Sequence, residues 1–98
     1  MKREFKNIRD QLMSRIDTTD LVEVNKVNRY IKLLEIDELC SKAILKDGPT
    51  ITIKNGPQEF TKSHPAFLEK EKIAKQLIEL EASIKFVRSK KYSKSDLV

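Results

Sequence analysis

Lys46-Asp47-Gly48-Pro49-Thr50-Ile51-Thr52-Ile53-Lys54-Asn55-Gly56-Pro57 separates two helical patterns and shows what lies between them. Gly48 can take the positive-φ conformation that ends a helix, and Pro49 cannot continue one. Thr50 to Lys54 alternates and is β-branched, which is the pattern of a strand. Asn55-Gly56 reads as a two-residue hairpin turn. Pro57 follows at once, so the return strand through Gln58, Glu59, Phe60 and Thr61 is expected to be short and weakly paired. A lone two-stranded hairpin is marginal in water and must lean on a helix or on other copies of the chain.

Upstream of this stretch, Asp17-Thr18-Thr19-Asp20 is a turn. Thr19 or Asp20 can cap the helix that follows, and Glu23 stands where a capping box needs its acid. A helix is expected from about residue 21 to 46. Its apolar series begins as Val24, Val27, Ile31 and Leu34, then shifts phase to Ile36, Leu39, Cys40, Ala43 and Ile44. A phase shift means that the second half offers a different face, one for a neighbour inside the subunit and one for a neighbour outside it. Tyr30, within the first series, is expected to pack against helix one or three with its hydroxyl near solvent. Further upstream, Phe5, Ile8, Leu12, Met13 and Ile16 recur at three and four, giving a first helix over residues 2–16.

Downstream, Ser63 or His64 caps a third helix, with Pro65 in its first turn. Ile73, Leu77, Leu80, Ile84 and Val87 fall at four-three spacing, a coiled-coil-like seam on a helix from 65 to 87. Residues 88–98 lack apolar periodicity and read as a basic flexible tail. The expected fold is therefore mainly α: a helical hairpin plus a long C-terminal helix, with a small β-hairpin between helices two and three. Residues 1–87 would form a single domain for oligomerisation and recognition.

The chain has 98 residues, enough for one modest core. Cys40 is its one cysteine, which excludes an internal disulfide and suits a reducing compartment. No apolar run approaches a membrane span and none follows the start as a signal would, so a cytoplasmic protein with no membrane partner is expected. The net charge of +5 is unevenly placed: residues 21–84 carry ten basic and ten acidic side chains, so the excess lies at the ends. Lys2, Arg3, Lys6 and Arg9 sit at one end, and Arg88, Lys90, Lys91 and Lys94 at the other. Basic ends suit a polyanion or simply keep a protein soluble, and these eight residues are the candidate polyanion-contacting set, which becomes a candidate DNA-binding set under the resemblance described below. Val24, Val27, Tyr30, Ile31, Leu34, Ile73, Leu77, Leu80, Ile84 and Val87 are the candidate packing and oligomer set. No glycine-rich phosphate loop, paired metal-ligand motif or nucleophile–base arrangement is present. His64 reads as a helix cap, Cys40 as an inert thiol, and Glu35, Asp37 and Glu38 as a solvated surface. A non-enzymatic protein with no cofactor and no metal is expected.

The order of these features resembles the small subunit of phage terminases. The residues that carry the resemblance are Asp20-Leu21, Tyr30, Lys46-Asp47-Gly48, Thr50-Ile51-Thr52-Ile53 with Asn55-Gly56, Lys62-Ser63-His64-Pro65-Ala66, and the Leu77/Leu80 stripe. They span roughly residues 8 to 87. The chain differs from that family at its end, where Ile84-Lys85-Phe86-Val87 runs into a Lys/Ser segment. The resemblance implies a homo-oligomer, usually a ring, that binds double-stranded viral DNA and passes it to the large terminase subunit during genome packaging and virion assembly, in the host cytoplasm. Two other readings fit the residues: a protein-interaction adaptor that binds no DNA, and a small DNA-binding regulator.

Overall fold

The computed structural model of the chain describes residues 1–87. Three helices and one hairpin follow in the order α1 (Arg3–Met13), α2 (Leu21–Asp47), β1 (Thr50–Asn55), β2 (Gln58–Ser63) and α3 (Pro65–Ser83). The fold is mainly α, with the small β-hairpin between the second and third helices. No described helix is long and apolar enough to cross a membrane.

The longest element, α2, is the spine. Its 27 residues extend for about 40 Å. Asp20 caps it by accepting the N–H of Val22 at 3.1 Å. At the other end Gly48, at φ +86° and ψ 171°, turns the chain away while its N–H still reaches Ile44 O. Both α1 and α3 run antiparallel to α2. Lys2 meets Glu38 and Arg9 meets Asn28 along the first pair. Lys70 meets Asp37 and Ser41, and Tyr30 meets Glu81, along the second.

The interior is small. Ile16, Val27 and Ile84 form a buried cluster with Leu12, Met13 and Val24 packed around it. Ile31, Ala66 and Ile73 are buried further along the helix pairs, and among the described residues Val27 alone is wholly shielded from solvent, at 0% exposure. The cluster sits where the turn after α1 meets the end of α3.

Three boundaries differ from the expectation, each for a physical reason. The first helix stops at Met13, and Ile16 enters the core from the turn instead of from a fourth helical turn. The third helix stops at Ser83, and Ile84 is extended, at φ −71° and ψ 130°. Its side chain still completes the core cluster, but the chain beyond it lies as a strap over the start of the helical hairpin. Lys85 N–H donates to the Glu23 carboxylate at 2.6 Å and Val87 N–H to Arg15 O at 2.7 Å. These bonds replace the helical ones that Lys85 and Val87 give up.

The third difference is in the hairpin. All six residues of β2 pair with β1, from Asn55↔Gln58 to Thr50↔Ser63. The two central turn residues are thus Gly56 and Pro57, not Asn55 and Gly56. Gly56 has φ +63°, the positive value that a type II′ turn needs at its first central position. The proline ring fixes φ near −65° at the second. Pro57 therefore closes a full-length hairpin instead of shortening it. Ile53 stands opposite Phe60 on one face, and the hairpin makes at most marginal contact with the helices. Its base is tied by His64 N–H donating to Pro49 O.

Candidate assembly and polyanion-binding surfaces

The charged end of α1 is shaped by the face that it turns to α2. Lys2 Nζ lies 2.9 Å from Glu38 Oε2, and its ammonium stands over the Phe5 ring. The bond to Glu38 raises the Lys2 pKa. Glu38 also takes Lys42 at 3.2 Å, and the bonds from Lys2 and then Lys42 hold its carboxyl below the usual range. Lys6 pairs with Asp10 one turn on, at 3.2 Å. Arg9 donates from Nε to the Asn28 amide, so its charge is positioned but not neutralised. Arg3 has no ion-pair partner among the described residues. Of the four candidate cations at this end, Lys2 and Lys6 are thus paired with carboxylates, and Arg3 and Arg9 are not. Arg88, Lys90, Lys91 and Lys94 lie outside the described residues.

The candidate packing residues mostly face inward within one subunit. Val27, Ile31, Ile73 and Ile84 are buried. Val24, Tyr30, Leu34, Leu77 and Leu80 are half-buried along the helix contacts, and Val87 is exposed, with its backbone N–H bonded to Arg15 O. The Tyr30 hydroxyl donates to Glu81 at 2.5 Å, and burial together with that carboxylate pushes its pKa up to about 12. The seam on α3 therefore serves α2 of its own chain.

Several polar contacts were not legible in the sequence. Glu23, expected to close a capping box, turns inward at 3% exposure. It accepts Lys85 N–H and pairs with Lys26 at 3.0 Å, and the backbone bond first, then Lys26, lowers its pKa. Lys26 also reaches Ser83 O, so one lysine ties the carboxylate to the end of α3. Nothing local marks this role, because the partners stand about sixty residues apart in the chain. His64 caps α3 through Nδ1, which accepts Ala66 N–H at 3.0 Å. Nδ1 as acceptor leaves the proton on Nε2, which faces Asp47 Oδ2 at 3.0 Å. The acidic run divides between two helices: Glu38 serves α1, and Asp37 takes Lys70 of α3.

Apolar side chains are plentiful outside. Leu39, Leu45, Phe60, Phe67, Leu68 and Ile78 are all exposed. Phe67 and Leu68 line an open groove of about 510 Å³ beside His64 at the hairpin base. Leu39 lines a second groove of about 320 Å³ with Met1 and Phe5. A third, of about 440 Å³, runs between α2 and α3 past Arg29, Leu33 and Gln76. Among the described residues, no group of three or more His, Cys, Asp and Glu side chains is placed to hold a metal ion. Cys40 is half-buried and unpaired. Comparison with protein-family models, with curated proteins and with solved structures found no match.

Proposed function

We propose that this chain is a self-assembling, non-enzymatic DNA-recognition module of the terminase small-subunit kind, which passes viral DNA to a larger motor and nuclease subunit. The observation that carries the assembly half is the imbalance between interior and surface. Among the described residues six apolar side chains are buried, and twice as many large ones are exposed. A hairpin that leans on no helix adds two free strand edges, which a second chain can cover. The ordered series of sequence features from Asp20 to Leu80 supports the family.

The DNA half rests on charge. With Lys2 and Lys6 engaged by carboxylates, the available cations are Arg3, Arg9 and the tail residues Arg88, Lys90, Lys91 and Lys94. Four phosphates neutralised by the tail give a salt slope of about −3.6 and weak binding per chain. Repetition in an oligomer adds about two to four decades of avidity where several arms engage one duplex. The same paired lysines favour a second reading, an adaptor for a large protein partner without DNA contact.

Light scattering on the purified protein, with a duplex titration at several salt concentrations, tests both halves. An oligomer whose affinity falls steeply with salt, and falls again when residues 88–98 are removed, supports the proposal. A strict monomer at micromolar concentration overturns it. An oligomer with no duplex binding at low salt favours the adaptor.

A further inference from the structure

The second apolar phase of α2 is covered only in part by its own chain: Cys40 and Ala43 are half-buried, and Ile36 and Leu39 are exposed. Ile36, Leu39, Cys40 and Ala43 stand at i, i+3, i+4 and i+7, a single stripe on a helix. The α1 helix lies over the side that carries Val24, Asn28 and Glu38. The α3 helix lies over the side that carries Tyr30, Asp37 and Ser41. The stripe falls on the third side, where Ile36 is 40% and Leu39 63% exposed. Met1 and Phe5 extend the apolar surface beside Leu39.

We propose that this stripe is a two-fold contact, in which α2 packs antiparallel against α2 of a second copy of the chain, with Leu39 and Cys40 beside the symmetry axis. The occupant is argued from charge. Arg29 and Lys32 flank one end of the stripe, and Lys46 and Asp47 the other, with Glu35 on the Lys46 side. Arg29, Lys32, Glu35 and Lys46 have no ion-pair partner among the described residues, and Asp47 meets only His64. An antiparallel copy centred between Leu39 and Cys40 sets Ile36 on the other copy's Ala43. It also brings Lys32 and Arg29 toward the second Asp47, and Glu35 toward the second Lys46. A parallel copy sets Lys32 on Lys32 and Asp47 on Asp47. Of the two arrangements, the antiparallel one sets opposite charges together at Glu35–Lys46 and Arg29–Asp47, against one like-charge approach of Lys32 to the second Lys46, and it is isologous. Such a contact makes pairs. A larger closed assembly then needs another surface, and the exposed groove at the hairpin base is available for it.

The inference rests on the reading that the chain self-associates, and the experiment separates the two. The full chain is treated with a short bis-maleimide, and its mass is measured by light scattering and under denaturing conditions. Cys40 is the only cysteine, so a covalent dimer requires two copies of it to be close. Expected results are efficient cross-linking in the wild type and its loss in Leu39→Glu. In that variant pair dissociation strengthens by about tenfold or more, with an unchanged far-UV spectrum, since Leu39 is exposed. Glu35→Lys and Lys46→Glu each weaken pairing, and the double variant restores it. An assembled wild type that does not cross-link, with its mass unaffected by Leu39→Glu, overturns this surface and leaves self-association standing. A wild type that is monomeric throughout overturns both.

Discussion

The carboxylate of Glu23 accepts the backbone N–H of Lys85 at 2.6 Å, joining the first turn of α2 to the residue two beyond the end of α3. It is the one buried charged side chain among the described residues, and it makes an ion pair with Lys26 as well. Glu23→Ala leaves Lys85 N–H without its acceptor in a crowded site, and the midpoint of urea unfolding is expected to drop clearly. Glu23→Gln keeps an acceptor oxygen, and its midpoint is expected to fall between those of Glu23→Ala and the wild type.

The same carboxylate contributes to the acid limb of stability, together with Asp17 and Glu38. Glu23 and Glu38 both have folded-state pKa values below the ordinary 4.5, so each favours the folded state above about that pH. The contribution is lost as pH falls through the lower folded values. Urea midpoints measured from pH 6 down to about pH 3 are expected to decline in the wild type. The decline should be shallower in Glu23→Gln, which cannot take up the proton.

At the alkaline end the sign reverses. The Tyr30 phenol titrates at about 12 in the folded chain, against 10.0 when free. Its contribution is whole below pH 10 and fades as pH rises toward 12. Tyr30→Phe is expected to cost about 1 kcal/mol at neutral pH, with the gap from the wild type narrowing across that alkaline window. Ultraviolet titration of phenolate absorbance should show a step near pH 12 that is absent from Tyr30→Phe.

The wholly buried Val27 lies at the centre of a core with few other members. Val27→Ala is expected to cost about 2 kcal/mol, a large share of the stability of so small a domain, and thermal unfolding will read it as a lowered Tm.

Gly48 and Gly56 have open space where a Cβ would go, so any penalty for alanine is purely one of backbone conformation. Each has positive φ, and each alanine variant is expected to cost about 1–2 kcal/mol. Amide exchange should place the effect of Gly56→Ala in the hairpin alone, because the hairpin barely touches the helices.

Elements that announce themselves locally were legible in the sequence. Periodicity located all three helices, Gly48 and Pro49 marked the end of α2, and His64-Pro65 marked the start of α3. The cap was traceable to Thr19 or Asp20 because an N-cap acts within three residues, and the structure assigns it to Asp20. The turn was misread because Asn55-Gly56 is a strong signal by itself, whereas pairing of the full strands moves the turn one residue on. Ile84 belongs to the core, as its spacing suggested, but it reaches the core from an extended segment. Periodicity cannot distinguish those two routes. The lysine-to-carboxylate pairs that engage Lys2 and Lys70 were hidden, because they depend on which helices become neighbours. For the same reason the sequence showed that α2 has two apolar phases, while only the packing revealed which one stays outside.

The strap after α3 carries structural contacts past the last residue of that helix. The α3 helix stops at Ser83, yet Ile84 plugs the core, and Lys85 and Val87 are each tethered by their backbone. A shortened chain ending at the last helical residue would unplug the interior and mimic a loss of binding through simple unfolding. Any dissection of what the tail does has to cut after Val87.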